Sequence, residues 1–140
     1  MKSLNTLIKF NKTKLDQILM EIKKAEEEKA LLVISAEKLA EEVRKEVETY
    51  HGSEYSFILE QYLENTSKIQ SRTKSQIERL ELHIENRRQA LSEQYAELKK
   101  YEIAMQNKQK KENLNAQKIE TKFLDEFGAN KYFFELKKSK

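Results

Sequence analysis

Starting at Leu4, apolar residues return at every third or fourth position. The series is Leu4, Ile8, Asn11, Leu15, Ile18, Ile22, Ala25, Lys29, Leu32, Ala36, Leu39, Val43, Glu46 and Tyr50. Eleven of these fourteen positions are apolar or tyrosine, and those between are mostly Lys, Glu, Asn and Gln. Alternating steps of four and three average about 3.5 residues, the repeat at which two helices keep one seam in contact. The spacing predicts a helix over about 3–50.

The pattern breaks at TYHGSEY, residues 49–55. Gly52 has the backbone freedom to close a helix, and Ser53 is a residue type that caps the start of the next. These features predict a tight reversal at 51–53. The spacing resumes with Tyr55, Leu59, Tyr62, Thr66, Ile69 and Thr73. A step of four to Ile77 then shifts its phase, and the seam continues through Leu80, Ile84, Arg87, Leu91, Gln94, Leu98, Tyr101 and Met105. Beyond Met105 only Leu114, Ala116, Ile119 and Phe123 remain before Phe127 and Gly128, where a second helix over 54–127 is expected to stop, leaving 128–140 as a tail.

Folding the chain at 51–53 brings Leu15 to the region of Gln89 and Val43 to that of Gln61. The second helix then outruns the first by about 25 residues, roughly 37 Å at the helical rise. The expected fold is all-α: a single domain, 1–140, built as a long antiparallel two-helix coiled-coil hairpin with an overhanging C-terminal helix. A lone hairpin has one narrow apolar seam and is marginal by itself, so a partner or self-association is expected.

Composition agrees with this reading. Charged residues make up 36% and apolar ones 38%, with no proline, cysteine or tryptophan and a mean hydropathy of −0.87. The lack of cysteine excludes disulfides and thiolate chemistry. The opening stretch has no apolar run of signal-peptide length, and no window approaches a membrane span, which predicts a soluble, unsecreted protein. The net charge is +3, unevenly placed: Lys108 to Lys140 holds nine Lys against five Asp or Glu.

No catalytic motif is present. With two glycines in the chain there is no phosphate-cradling loop, and H-E-x-x-H and G-x-S-x-G are missing. His51 and His83 lack a ligand cluster, and runs such as Glu26, Glu27 and Glu28 read as a solvated face. Neither an enzyme nor a cofactor, metal or small-molecule substrate is expected. Three apolar features exceed the seam. The stretch ALLVISA, 30–36, adds Leu31, Val33 and Ile34, either thickening the seam or offering a contact facet. Tyr50, Tyr55, Phe57 and Tyr62 surround the turn, either plugging its end or anchoring a partner. FLDEFGANKYFF, 123–134, holds four of the six phenylalanines, where no residue of the first helix reaches.

The hairpin length, the C-terminal arm and KFLDEFGANKYFF together resemble the FliJ family of flagellar export proteins. Members carry an acidic-aromatic element near the end of the long second helix, here Asp125, Glu126 and Phe127. The resemblance implies a non-enzymatic central stalk of the type III export apparatus, similar in form to the terminal helices of the F-type ATPase gamma subunit. The termini-bearing end would sit in the hexameric export ATPase, through Phe123, Asp125, Glu126 and Phe127. Lys118, Lys122, Lys131, Lys137 and Lys138 would meet acidic groups of that ring. The turn end would reach the cytoplasmic domain of the membrane export gate, with Tyr50, Tyr55, Phe57 and Tyr62 as candidates by location. Export chaperones are a further implied partner. The location implied is cytoplasmic, at the inner face of the cell membrane, in a cell that builds flagella for motility and chemotaxis.

Stalk proteins of virulence type III secretion share the design, and a structural coiled-coil tether remains open. A prefoldin-like subunit needs β-hairpins for which the few turn residues leave no room. A nucleic-acid-binding arm would want a continuous basic stripe, whereas Glu and Lys mix on most faces.

Overall fold

The computed structural model describes the backbone of residues 2–138 and the side chains of residues 3–131. It contains two helices, α1 (Lys2–Tyr50) and α2 (Ser56–Lys138), of 49 and 83 residues. Among the described residues there is no strand. Helices this long follow from a chain without proline that is rich in Lys, Glu, Gln, Leu and Ala, all strong helix formers. Contacts divide the chain into two units, Phe10–Ala96 and Met1–Lys9 with Glu97–Lys140.

In the unit Phe10–Ala96, α1 and α2 run antiparallel. Glu21 meets Arg87 at 3.1 Å, Glu26 meets Arg88 at 2.9 Å and Lys29 meets Glu81 at 3.3 Å. Lys29 and Arg87 are half-buried seam positions that reach exposed carboxylates at its edge, so these solvated pairs contribute little to stability individually. The core is Ile22, Ala25 and Ile84, with Ile18, Leu80 and Leu91 packed against them. Asn11 is buried, and the Gln94 side-chain amide donates a hydrogen bond to its side-chain oxygen. A satisfied polar pair within an apolar seam favours one register, because a slip would bury both amides without partners.

The seam positions of α1 from Asn11 to Glu46 are all buried or half-buried. On α2 the periodicity departs from the expectation at one place. Ile69 is 48% exposed, and Gln70 is half-buried instead. The inward positions run Leu59, Tyr62, Thr66, Gln70, Thr73 and Ile77. The extra residue that shifts the phase therefore lies between Thr66 and Gln70, not between Thr73 and Ile77. The cause is geometric: contact with α1 selects the face, whatever the polarity of the residue on it. Thr66 and Thr73 satisfy their hydroxyls within the helix, donating to the carbonyls of Tyr62 at 2.9 Å and Ile69 at 3.0 Å.

The reversal follows the local chemistry of 51–56. The His51 N–H still bonds the Val47 carbonyl at 2.9 Å, as the last helical link of α1. Gly52 then adopts φ 73°, the left-handed conformation that closes a helix. Ser53 donates its hydroxyl to the Tyr50 carbonyl at 2.7 Å and accepts the Tyr55 N–H at 3.1 Å. One side chain thus serves the end of α1 and the entry to α2, which begins at Ser56, two residues later than 54.

In the unit Met1–Lys9 with Glu97–Lys140, Leu98 is buried. Leu4, Ile8, Tyr101 and Met105 are half-buried. Every described side chain from Gln106 to Lys131 is exposed. Gly128 does not end the helix. The helix continues to Lys138, and Gly128 keeps a negative φ, so the expected tail from 128 is helical instead. A single glycine costs only about 1 kcal/mol inside a helix, too little to break one flanked by strong formers. The side chains of Tyr132, Phe133 and Phe134, part of the expected aromatic tail, lie outside the described residues.

Candidate functional site

The reversal at Gly52 places the last turn of α1 beside the first turns of α2. Tyr50 ends α1 and Tyr55 precedes α2, and their rings meet edge to face, with centroids 6.0 Å apart and planes at 86°. Glu46 lies one turn before Tyr50, and Tyr62 lies two turns into α2. These residues, with Ile58 and Leu59, line an open groove of about 440 Å³. Leu59 is buried and forms its apolar floor, while Tyr50, Tyr55 and Ile58 remain exposed.

Three of the four aromatics expected near the turn therefore share one groove. Phe57 does not line it and is 70% exposed. Glu46 and Leu59 were expected only as seam positions, and Ile58 was not singled out from sequence. Their signal was helical spacing, since Glu46 and Tyr50, Tyr55 and Leu59, and Ile58 and Tyr62 are each one turn apart.

Close by on α1, Arg44 is clamped by two carboxylates, at 2.6 Å from Glu41 and 2.6 Å from Glu48. The Glu41 hydrogen bond, reinforced by both negative charges, raises the Arg44 pKa further above its ordinary value. In turn, that hydrogen bond from Arg44 holds the Glu41 carboxyl below the ordinary carboxylate range. All three side chains are exposed, so this is local order on a helix face.

On the exposed stretch of α2, Phe123 and Phe127 stack, with centroids 6.5 Å apart and planes at 13°. They are 65% and 60% exposed, and Ile119 extends the stripe by one further turn. Asp125 lies two residues on from Phe123, about 200° around the helix. It lines a different hollow, with Leu114, Gln117, Lys118, Thr121 and Lys122. Glu126 lies three residues on from Phe123, about 60° from it around the helix, and so adjoins the phenylalanine stripe. The four residues expected to act together on this arm therefore divide between two faces. Nearer the start of the same unit, a hydrogen bond to Glu97 and its negative charge raise the Tyr101 phenol above the ordinary 10.0.

The ALLVISA stretch splits across the seam. Val33 and Ile34 line a hollow with Ile84 on one side, and Leu31 and Leu32 line another with Leu80 on the other side. Among the described residues, no group of three or more His, Asp or Glu is gathered as a metal site, and no helix is long and apolar enough to cross a membrane.

A family model described as flagellar FliJ protein matches residues 1–137. No individual curated protein and no solved structure matches the chain.

Proposed function

Because the chain belongs to the FliJ family of flagellar proteins, it is a component of flagellar protein export, and we propose that it serves there as a non-enzymatic stalk joining the export ATPase to the membrane export gate. The observation that carries this reading is the presence of two separate sets of exposed aromatics. One is the tyrosine groove at the turn of the unit Phe10–Ala96, and the other is the Phe123–Phe127 stripe of the second unit. A protein that only stiffens a complex needs its seam and no more. Exposed rings held in order on a helix cost solubility unless another protein covers them. Tyrosine and phenylalanine are also effective anchors, burying large area with few rotatable bonds.

In this reading the phenylalanine stripe contacts the hexameric ATPase. Lys118 and Lys122 on the same helical stretch speed encounter with an acidic partner, an effect that added salt weakens. The tyrosine groove contacts the cytoplasmic domain of the gate, and unloaded export chaperones are further partners of the exposed arm. The work is done at the inner face of the cell membrane.

The test is stimulation of the cognate export ATPase by the wild-type chain and by Phe123→Ala/Phe127→Ala. Both rings are exposed, so the variant should keep its helicity by circular dichroism while losing most of the stimulation. A helical variant that stimulates fully would remove this stripe from the ATPase contact. Binding of the gate domain, measured on the same variant, should be unchanged.

A further inference from the structure

We propose that the groove at the turn is a receptor for a basic side chain, a lysine or arginine carried by a partner protein beside an apolar residue. The proposal deepens the assignment of the turn to the export gate and rests on that reading, while naming the chemistry that the groove selects.

Three tyrosines and one carboxylate line this groove over an apolar floor. In an edge-to-face pair such as Tyr50 and Tyr55, one ring presents its edge and keeps both of its own faces uncovered by the other. A tyrosine face carries negative quadrupole density and attracts a cation, more strongly once water is excluded. Glu46 supplies a full negative charge in the same groove. The nearby guanidinium of Arg44 is held by Glu41 and Glu48, and among the described residues no ion pair is formed by Glu46. Leu59 and Ile58 complete the match, since the methylene stem of Lys or Arg packs on apolar surface while its head reaches a charge.

The surrounding charge selects the same occupant. Residues 41–64 hold seven Glu against Arg44, Lys45 and His51, although the whole chain carries +3. An anionic segment or a nucleic acid is repelled there. A purely apolar occupant would strip water from Glu46 and leave its charge without a partner, a costly burial. A cation removes that cost. Acidic surface also steers a basic partner toward the groove before contact, so association should be salt-sensitive. The groove has room for one basic side chain together with a flanking apolar one, which fits alternating Lys and Leu better than a polylysine run.

The experiment uses the full chain and three peptides, acetyl-Gly-Leu-Lys-Leu-Lys-Leu-Gly-amide and its versions with both Lys replaced by Gln or by Glu. Binding is followed by NMR of the tyrosine rings. The Lys peptide should shift Tyr50, Tyr55 and Tyr62 and bind about tenfold more tightly than the Gln peptide, with the Glu peptide weakest, and the margin should shrink with added salt. Tyr55→Leu keeps apolar surface but removes the ring, and should weaken the Lys peptide about three- to tenfold while sparing the Gln peptide. Glu46→Gln provides a second reading if the tyrosine variant loses helicity, and should also reduce the Lys preference. Equal binding of Lys and Gln peptides, or a Lys preference unchanged in Glu46→Gln, would overturn the proposal. Gate-domain binding separates the two readings. A Lys preference with gate binding untouched by either variant upholds the basic-side-chain receptor and refutes the gate. Gate binding lost without any Lys preference does the reverse.

Discussion

Alanine at Gly52 and alanine at Gly128 should move stability in opposite directions, because only Gly52 holds a positive φ, 73°. Neither site is crowded: a Cβ at either position meets nothing within 4 Å. The outcome is therefore decided by backbone conformation alone. Gly52→Ala forces an L-residue into the left-handed region and should cost about 1–2 kcal/mol in thermal or urea unfolding. Gly128→Ala removes a flexible residue from a helix interior, so helicity at the C-terminal arm should rise by about 0.5–1 kcal/mol of local stability, read by circular dichroism and amide exchange. The sequence made both glycines look like helix stops. Glycine permits a left-handed turn but does not demand one, and only at 51–53 do Ser53 and the seam contacts on both sides make the turn the better state. Directly after Gly128, in the place Ser53 holds after Gly52, stands Ala129, which has no side chain to cap with, and the helix runs on through it.

At the scale of the element, α2 shows how far periodicity reaches and where it fails. The seam from Ile77 to Met105 follows the spacing read from sequence, with every position at least half-buried. Between Thr66 and Ile77 the polarity of the sequence favours Ile69 over Gln70 as the inward residue, because isoleucine is the apolar one. The helix turns Gln70 inward, since two successive steps of four from Tyr62 keep the later seam facing α1. The substitutions Gln70→Ile and Ile69→Gln separate the two phases. The first should stabilise by about 1 kcal/mol by adding apolar area at a half-buried position. The second should stay within about 0.5 kcal/mol, as for an exposed site. The reverse order in chemical denaturation would put the phase shift at Thr73 to Ile77. The arm of α2 carries a similar lesson. Asp125, Glu126 and Phe127 form one short motif in sequence, yet Asp125 falls on a different face from Glu126 and the phenylalanines, because residues two apart lie about 200° apart around a helix. Phe123 and Phe127 meet because they are one turn apart, and that pairing was legible from the numbers alone.

At the scale of the whole molecule, the reversal is the claim with the largest measurable consequence. Spin labels at Leu15 and Arg88, both in the unit Phe10–Ala96, should report helices whose axes are about 10 Å apart. An unbroken helix through Gly52 would separate them by over about 100 Å, so pulsed dipolar distances decide the matter in one measurement. The sequence by itself determined the helical class, the turn at Gly52, the face of α1 and the family. Each of these rests on local chemistry or on a period repeated over many turns, which one chain reports without a partner. It also located both aromatic sets in the numbering. Only the tertiary structure decided which of those aromatics act together. Tyr50, Tyr55 and Tyr62 share a groove with Glu46, while Phe57 faces elsewhere, because membership depends on how two helices meet across a turn. It likewise decided that Gln70 turns inward and that Asn11 finds Gln94. Those outcomes are set by contact between residues far apart in sequence, where the polarity of a single position is outweighed by the geometry of the whole seam.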